Sequence, residues 1–398
     1  VIPNAPSPER PSADVLTDML RAVIDPELGA DIVTLGMVNG VQVHDNHDVT
    51  VGVKLTIGGC PLRAQIKKDI ESRLAVHPGV GMVRIEWGEM TAEERSATMS
   101  AARWNAREKA QPTAVSPATR VLAVASGKGG VGKSSVTVNL AAAVAAQGFT
   151  VGVLDADIWG FSVPRLLGID DRLEAERVDG SDRPQIIPNE RAVGRGTLKV
   201  VSTGFLVEED TALMWRGLML TKAVEQFLND VHWGELDYLF IDMPPGTGDV
   251  QMGLARMLPR TDLLIVTTPA LAAQKVAARA ADMARRSFLR VCGVIENMSE
   301  FVCGHGESYP LFGVGGGQAL ADEIGVELLG SVPLEAAVAA GGDTGTPVAV
   351  AGSGRAADVF RSIATRIVSD IAPPTSMAGC SARMLQMAAA ALAAHDAS

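Results

Sequence analysis

Hydrophobic positions repeat along this chain in two styles, and the change from one to the other divides it. From Val15 the residues Leu16, Met19, Leu20, Val23 and Ile24 fall on one helical face. The Asp25-Pro26 step closes that face, because the residue before a proline is pushed out of the α region. Val49, Val51, Val53, Leu55 and Ile57 then alternate with polar or small residues, the mark of a half-buried strand. Gly40 to Val43 is predicted to pair with it across Asp45 and Asn46. The stretch Gly58, Gly59, Cys60, Pro61 opens a helix with proline at its first position, and Leu62, Ile66, Ile70 and Leu74 form its buried stripe. Met82 to Trp87 supplies a last strand, completing an α/β module of about 80 residues.

Between Thr91 and Arg120 the pattern becomes alanine-rich and charged, then punctuated by Pro112 and Pro117, which predicts a helix followed by an extended linker. From Val121 onward short apolar runs alternate with helical stretches: Thr150 to Leu154, Leu198 to Val201, Tyr238 to Ile241, Leu263 to Val266, Val291 to Ile295 and Leu328 to Val332. Runs apolar on both faces, separated by helices, predict a parallel sheet covered on both sides. The expected organisation is a small α/β domain at 11–92, a linker at 93–118, a larger parallel-sheet α/β domain at 119–372 and a tail at 373–398.

Composition narrows the class. A length of 398 residues exceeds what one core usually organises. A net charge of -11 argues against general affinity for nucleic acid or for an anionic membrane surface, so any phosphate binding must be local. No stretch approaches about 18 continuous apolar residues, and the first residues lack the basic and apolar regions of a signal peptide. The run from Met384 to Ala394 is helical by composition, but Arg383 is its sole early basic residue, a poor anchor. The expectation is a cytoplasmic protein with no stable membrane association. Cys60, Cys292, Cys303 and Cys380 are too few and too scattered for a disulfide framework.

Local phosphate chemistry is written at Gly127 to Ser135, GKGGVGKSS. The apolar run Val121 to Ala125 precedes it, and Val136, Leu140 and Val144 follow at helical spacing, so the order is strand, glycine loop, helix. Gly127, Gly129, Gly130 and Gly132 let the backbone turn its amides inward, and with Val131 and the helix start they form a phosphate cradle. Lys133 adds a point charge, the Ser134 hydroxyl is placed to ligate magnesium, and Ser135 continues the first helical turn. Lys128 is an extra lysine that most such loops lack. Two more strand ends carry carboxylates: Asp155 and Asp157 after Leu154, and Asp242 after Ile241. Pro244 to Asp249 follows as a glycine-containing loop able to move with a γ-phosphate. The fold class is therefore α/β, a parallel-sheet P-loop NTPase domain preceded by a small α/β domain.

These residues resemble the Mrp/ApbC family of iron–sulfur cluster carrier ATPases, within the deviant-Walker MinD/ParA-like class. The match runs through the double-lysine loop, Asp155 to Gly160 (DADIWG), Met214 to Gly217 (MWRG), Trp233 to Asp249, Thr267 to Pro269, Glu296 to Ser299 (ENMS) and Phe312 to Gly317 (FGVGGG). The first domain resembles the small iron–sulfur assembly module often fused ahead of it, through Asp25 to Gly29, Leu35 to Val38 and Gly59 to Leu62. The resemblance implies an ATP- and Mg²⁺-dependent homodimer in which Lys128 reaches the partner's nucleotide while Lys133 serves its own. It implies that Asp157 orients the attacking water, that Asp155 supports the magnesium shell or the switch, that Asp242 is the magnesium-side carboxylate, and that Asn297 reads the adenine edge. Its cargo would be an iron–sulfur cluster, and its partners apo iron–sulfur proteins and the cluster assembly machinery, with no nucleic acid.

One departure stands out. Members that hold a bridging cluster usually carry Cys-x-x-Cys after the ENMS segment, whereas this chain has Cys303 and His305. Two copies of each across a two-fold axis could supply four ligands, since imidazole replaces thiolate on some clusters. Alternatively His305 caps a loop and Cys303 is a bystander, or Cys380 in the tail is recruited. Cys60 sits before a helix start, where a thiol pKa is lowered, or simply packs. Cys292 reads as core, His44 and His47 as solvent-exposed loop residues, and Asp25 and Glu27 as functional or as caps. Trp215 and Arg216, ahead of a helix bearing Leu220, Val224, Phe227 and Leu228, read as a subunit interface or as ordinary packing. Three functions compete: a cluster carrier, a nucleotide-gated switch that binds partners without a cluster, and a nitrogenase-iron-protein-like reductase. No cysteine lies between Asp242 and Asp249, which argues against the last.

Overall fold

The computed structural model describes residues 10–374 apart from 26–27, 29, 57–61, 110–112, 158–159, 179–182, 207–216, 247, 288, 304 and 306. Glu27, Cys60, Pro61, Trp215, Arg216, Cys380 and the tail from residue 375 therefore lie outside the described residues. The chain divides into two units, Val1–Ala110 and Gln111–Ser398.

The first unit contains α1 (Ala13–Leu20), β1 (Val38–Val43), β2 (Val49–Leu55), α2 (Arg63–Leu74), β3 (Val83–Glu89) and α3 (Ala92–Lys109). Its sheet has the order β1-β2-β3, antiparallel then parallel. The alternation read along β2 is its burial pattern, with Val49, Val51, Val53 and Leu55 inside. Ser12 caps α1 by accepting from the Val15 amide. The predicted helical face runs too long, because α1 stops at Leu20. Val23 stays buried, but Ile24 leaves the helix to bridge Asp31 as a strand fragment and is 48% exposed. Asp25 turns the chain there, accepting from the Leu28 amide at 2.8 Å while its own amide donates to the Ala30 carbonyl. That is the capping role. Helix α2 runs from Arg63 with Leu62 as its cap residue, and the expected start at Pro61 lies outside the described residues. Ile66, Ile70 and Leu74 are its buried stripe as expected.

The stretch predicted as linker is tied at both ends. In α3, Thr98 is buried and donates to the Leu35 carbonyl of the first unit, and further on Val115 is buried in the core of the second.

The second unit follows as β4 (Arg120–Ser126), α4 (Lys133–Ala146), β5 (Thr150–Asp155), α5 (Val163–Leu167), β6 (Glu174–Glu176), β7 (Gln185–Ile187), β8 (Asn189–Val193), β9 (Gly196–Ser202), α6 (Gly217–Asp230), β10 (Tyr238–Asp242), α7 (Gly248–Met257), β11 (Asp262–Thr267), α8 (Leu271–Arg286), β12 (Arg290–Val302), β13 (Ser308–Tyr309), α9 (Gly316–Ile324), β14 (Leu328–Leu334), α10 (Ala336–Asp343), α11 (Val348–Ala351) and α12 (Arg355–Arg366). Nine of these strands form one sheet in the order β13-β12-β11-β4-β10-β5-β9-β8, with β14 beside β12, and β6 and β7 pair as a separate two-stranded sheet. Every predicted strand is present and the sheet's centre is parallel. The edges add what the apolar runs did not announce: β8 and β13 pair antiparallel.

One face of the sheet packs under α4, α11 and α12, through residues such as Val136, Leu140, Phe360 and Ile363. The other packs under α6, α7, α8 and α9, through Val224, Phe227, Leu254, Ala281 and Leu320. Val224, Phe227 and Leu228 are thereby ordinary core. Among the described residues no helix is long and apolar enough to cross a membrane.

Candidate functional site

The C-terminal ends of β4, β10 and β5 lie side by side, and the predicted chemistry gathers there. Parallel pairing sets Asp242 opposite Val124 on one side and opposite Asp155 on the other. Two carboxylates are thus neighbours on adjacent strands, both fully buried. Buried charge demands partners, and each has them.

Asp242 takes the cationic set. Its Oδ1 accepts from Lys133 Nζ at 2.7 Å and from Thr137 Oγ1 at 2.9 Å, and its Oδ2 accepts from Ser134 Oγ. Lys133, Ser134 and Thr137 all come from the first turns of α4, so the helix that starts at the glycine loop is docked on β10. Thr137 was missed in the sequence; its position four residues after Lys133, on the same helix face, was the available signal.

Asp155 takes backbone donors instead. Its Oδ1 accepts from the Asp157 amide at 3.1 Å, while its Oδ2 accepts from the Ser162 and Val163 amides at 3.2 Å and from Ser202 Oγ at 3.1 Å. Burial, and next the charge of Asp242, push its pKa up to about 7. Both oxygens of a carboxylate expected beside magnesium are therefore engaged by the protein, tying the Asp157 amide and the start of α5 to Ser202 of β9. Asp157 is nearly buried, accepts from the Gly160 amide at 3.2 Å and stands 4.0 Å from Lys133 Nζ.

The loop glycines have separate reasons. A Cβ on Gly127 would stand 2.3 Å from backbone atoms of Val276 and Ala277 in α8. Gly132 has φ 77°, and a Cβ there would meet Asn297 Nδ2 at 2.2 Å. Gly130 is left-handed at φ 81°, and Gly129 faces open space. Asn297 Nδ2 donates to the Val131 carbonyl at 2.9 Å, so the residue expected at the adenine edge also holds the loop. Ser135 is half-buried one turn into α4. Lys128 is exposed and points out of the buried cluster, while its carbonyl accepts from Ser126 Oγ.

Hard oxygen donors (Ser134, Asp242, Asp157) beside an open glycine cradle fit a magnesium ion and a polyphosphate. Next to the loop lies a cavity of about 420 Å³, lined by Gly132, Ser135, Asn297, Leu166, Val338 and Asp343 among others. It is roomy enough for a nucleoside.

The family described as NUBPL iron-transfer P-loop NTPase matches residues 118–368, more than half of the chain. The chain belongs to this family. The resemblance read from the double-lysine loop is borne out. Residues 13–87 match a second family, described as iron-sulfur cluster assembly protein. An iron-sulfur cluster carrier protein of Mycobacterium leprae is 42% identical over 353 residues, covering 85% of this chain and 89% of that one. Another, of Deinococcus radiodurans, is 42% identical over 91% of this chain and 96% of its own. A solved nucleotide-binding protein in complex with ADP from Archaeoglobus fulgidus is 34% identical, covering 61% of this chain and 91% of that one at a TM-score of 0.48.

In this NUBPL-family chain the cluster candidates sit apart from the buried carboxylates. Strand β12 continues past Glu296, where its pairing with β11 ends at Thr267, and turns back through β13 with Phe301 opposite Tyr309. Cys303 is half-buried and His305 exposed at the tip of that hairpin. The Cys303 amide donates to the Glu307 carbonyl at 2.9 Å, and Tyr309 donates to Glu307 Oε2 at 2.6 Å, which raises the tyrosine pKa. Among the described residues no group of three or more His, Cys, Asp or Glu side chains is arranged to hold a metal. Cys292 is structural, with Sγ 3.3 Å from the Leu263 carbonyl and its side chain against the core. His44 is exposed as expected, but His47 is half-buried at φ 68°, its Nδ1 3.0 Å from the Gly79 carbonyl. It holds a turn.

Proposed function

We propose that this chain is an ATP-binding and ATP-hydrolysing carrier that works as a homodimer and passes iron–sulfur clusters to apo-proteins. The observation that carries the nucleotide part is the buried Lys133, Ser134, Thr137 and Asp242 cluster under an open glycine loop, with Lys128 exposed beside it. On binding, Lys133 exchanges its contact with Asp242 for the phosphates, and Ser134 and Asp242 hold the magnesium side. Asp157 orients water at the γ-phosphate. Asp155 anchors the segment that carries Asp157. Lys128 is the one loop cation left pointing outward, and a second copy placed on this sheet edge would receive it. There it would stabilise transition-state charge as an arginine finger does. Asn297 lines the base cavity. The domain limits 11–92 and 119–372, a cytoplasmic setting and exchange with the assembly machinery belong to the same reading.

The cluster part draws on the carrier names of the relatives and on Cys303 with His305, two copies of which across a dimer make four ligands. A second reading, a nucleotide-gated switch that binds partners without a cluster, is favoured by the single cysteine at the hairpin tip. Anaerobic reconstitution with iron and sulfide separates the two. The carrier reading expects a dimer with the broad visible absorbance of thiolate-ligated clusters, lost in Cys303→Ser. A colourless wild type, or a cluster that survives Cys303→Ser, Cys380→Ser and Cys60→Ser singly, leaves the switch.

A further inference from the structure

The cavity beside the glycine loop is half loop and half helix. Gly132, Ser135 and Asn297 form one side, and Arg165 and Leu166 of α5, with Val338 and Asp343 of α10, form another. Helix α5 is five residues long, too short to hold its place by its own hydrogen bonds. Its start is fixed by Asp155, which accepts from the Ser162 and Val163 amides. Its end is fixed by a residue far from every nucleotide motif.

That residue is Arg191, on the antiparallel edge strand β8. Its Nη1 donates to the Leu167 carbonyl at the end of α5 and, at 2.8 Å, to the Gly345 carbonyl just past α10. A guanidinium at these helix ends satisfies carbonyls that the helices cannot. The joint beneath it admits no side chain. Gly168 and Gly345 are both left-handed, and a Cβ on Gly345 would stand 2.3 Å from Gly168 Cα. Farther out, Arg165 pairs with Asp343 at 3.3 Å across the same two elements. Arg191 does not line the cavity.

We propose that Arg191 is a positioning residue for the nucleoside half of the bound nucleotide, acting through α5 and α10 as the wall of this cavity. This rests on the reading that a nucleotide seats on the Gly127 to Ser135 loop. The phosphate half is held by the loop and Lys133, which Arg191 does not touch. Loosening the wall therefore weakens ligands that carry a base and spares those that are phosphate alone.

The test is calorimetric binding of ADP and of inorganic tripolyphosphate, each with magnesium, to the full chain. Arg191→Met is expected to weaken ADP about tenfold, the scale of one lost charged hydrogen bond. Tripolyphosphate binding is expected to stay within about twofold. Arg191→Lys, which keeps the charge and loses the planar guanidinium, is expected to fall between, at about threefold for ADP, and carries the comparison alone if Arg191→Met does not fold. Unchanged ADP binding overturns the proposal, as does an equal loss for both ligands, which marks a general structural defect. A wild type that binds tripolyphosphate but not ADP overturns it too. A wild type that binds neither overturns the nucleotide reading itself, and the positioning role with it.

Discussion

Two regions at the same edge of the sheet are built in opposite ways. At the ends of β10 and β5, Asp242 and Asp155 are fully buried and each is engaged by three or more donors. At the tip of the β12–β13 hairpin, Cys303 is half-buried, His305 exposed, and Phe301 and Tyr309 leave substantial surface in water. The first region is arranged before any ligand arrives, as tight binding of a charged phosphate demands. The second places a half-buried thiol and an exposed imidazole close together on a projecting hairpin.

Substitutions sharpen the contrast. Lys133→Ala leaves Asp242 buried without its cation and is expected to cost about 3 kcal/mol of stability, read as a shift of the urea unfolding midpoint. A cost near zero would mean that Ser134 and Thr137 suffice and that the buried region is not the rigid one. Lys128→Ala is expected to reduce ATP turnover on the order of a hundredfold while ADP affinity of the monomer holds. Loss of that affinity would make Lys128 part of its own loop and not a residue offered to a second copy.

Acidity probes the buried region alone. The pKa of Asp155 is raised in the fold, so its contribution to stability is fully present below about pH 4, where the unfolded group titrates, and is lost as pH rises through about 7. In EDTA without nucleotide, Asp155→Asn is expected to flatten that decline, whose slope for one proton cannot exceed about 1.4 kcal/mol per pH unit. A decline identical in both proteins would assign the proton elsewhere. The smallest effect belongs to the hairpin: Cys303→Ser is expected to change stability by less than about 0.5 kcal/mol, by the same urea measurement. A larger cost would show that the tip is structural after all.

The contrast also explains what could be read from residues alone. Buried parallel strands are continuous apolar runs, so β4, β5, β10, β11 and β12 stood out, and their glycine and carboxylate ends stood out with them. The edge strands β8 and β13 are short and largely polar, and nothing local distinguishes them from loop. Helix α1 was read too long because Val23 is apolar and buried for a different reason, a turn set by Asp25. Ser202 and Thr137 escaped because a hydroxyl becomes informative only when the sheet order brings a carboxylate beside it. Arg191 escaped for the same cause, lying on a missed edge strand.

The glycine loop has one more implication. Gly127 is demanded by the backbone of α8, Gly132 by its φ and by Asn297, and Gly130 by its φ, whereas among the described residues nothing crowds Gly129. A library of loop variants selected only for soluble expression should therefore keep the first three and let Gly129 drift. Selected for ATP turnover, the same library should keep all four. The difference between the two surviving populations would isolate, at a single position, what the ligand requires from what the fold requires.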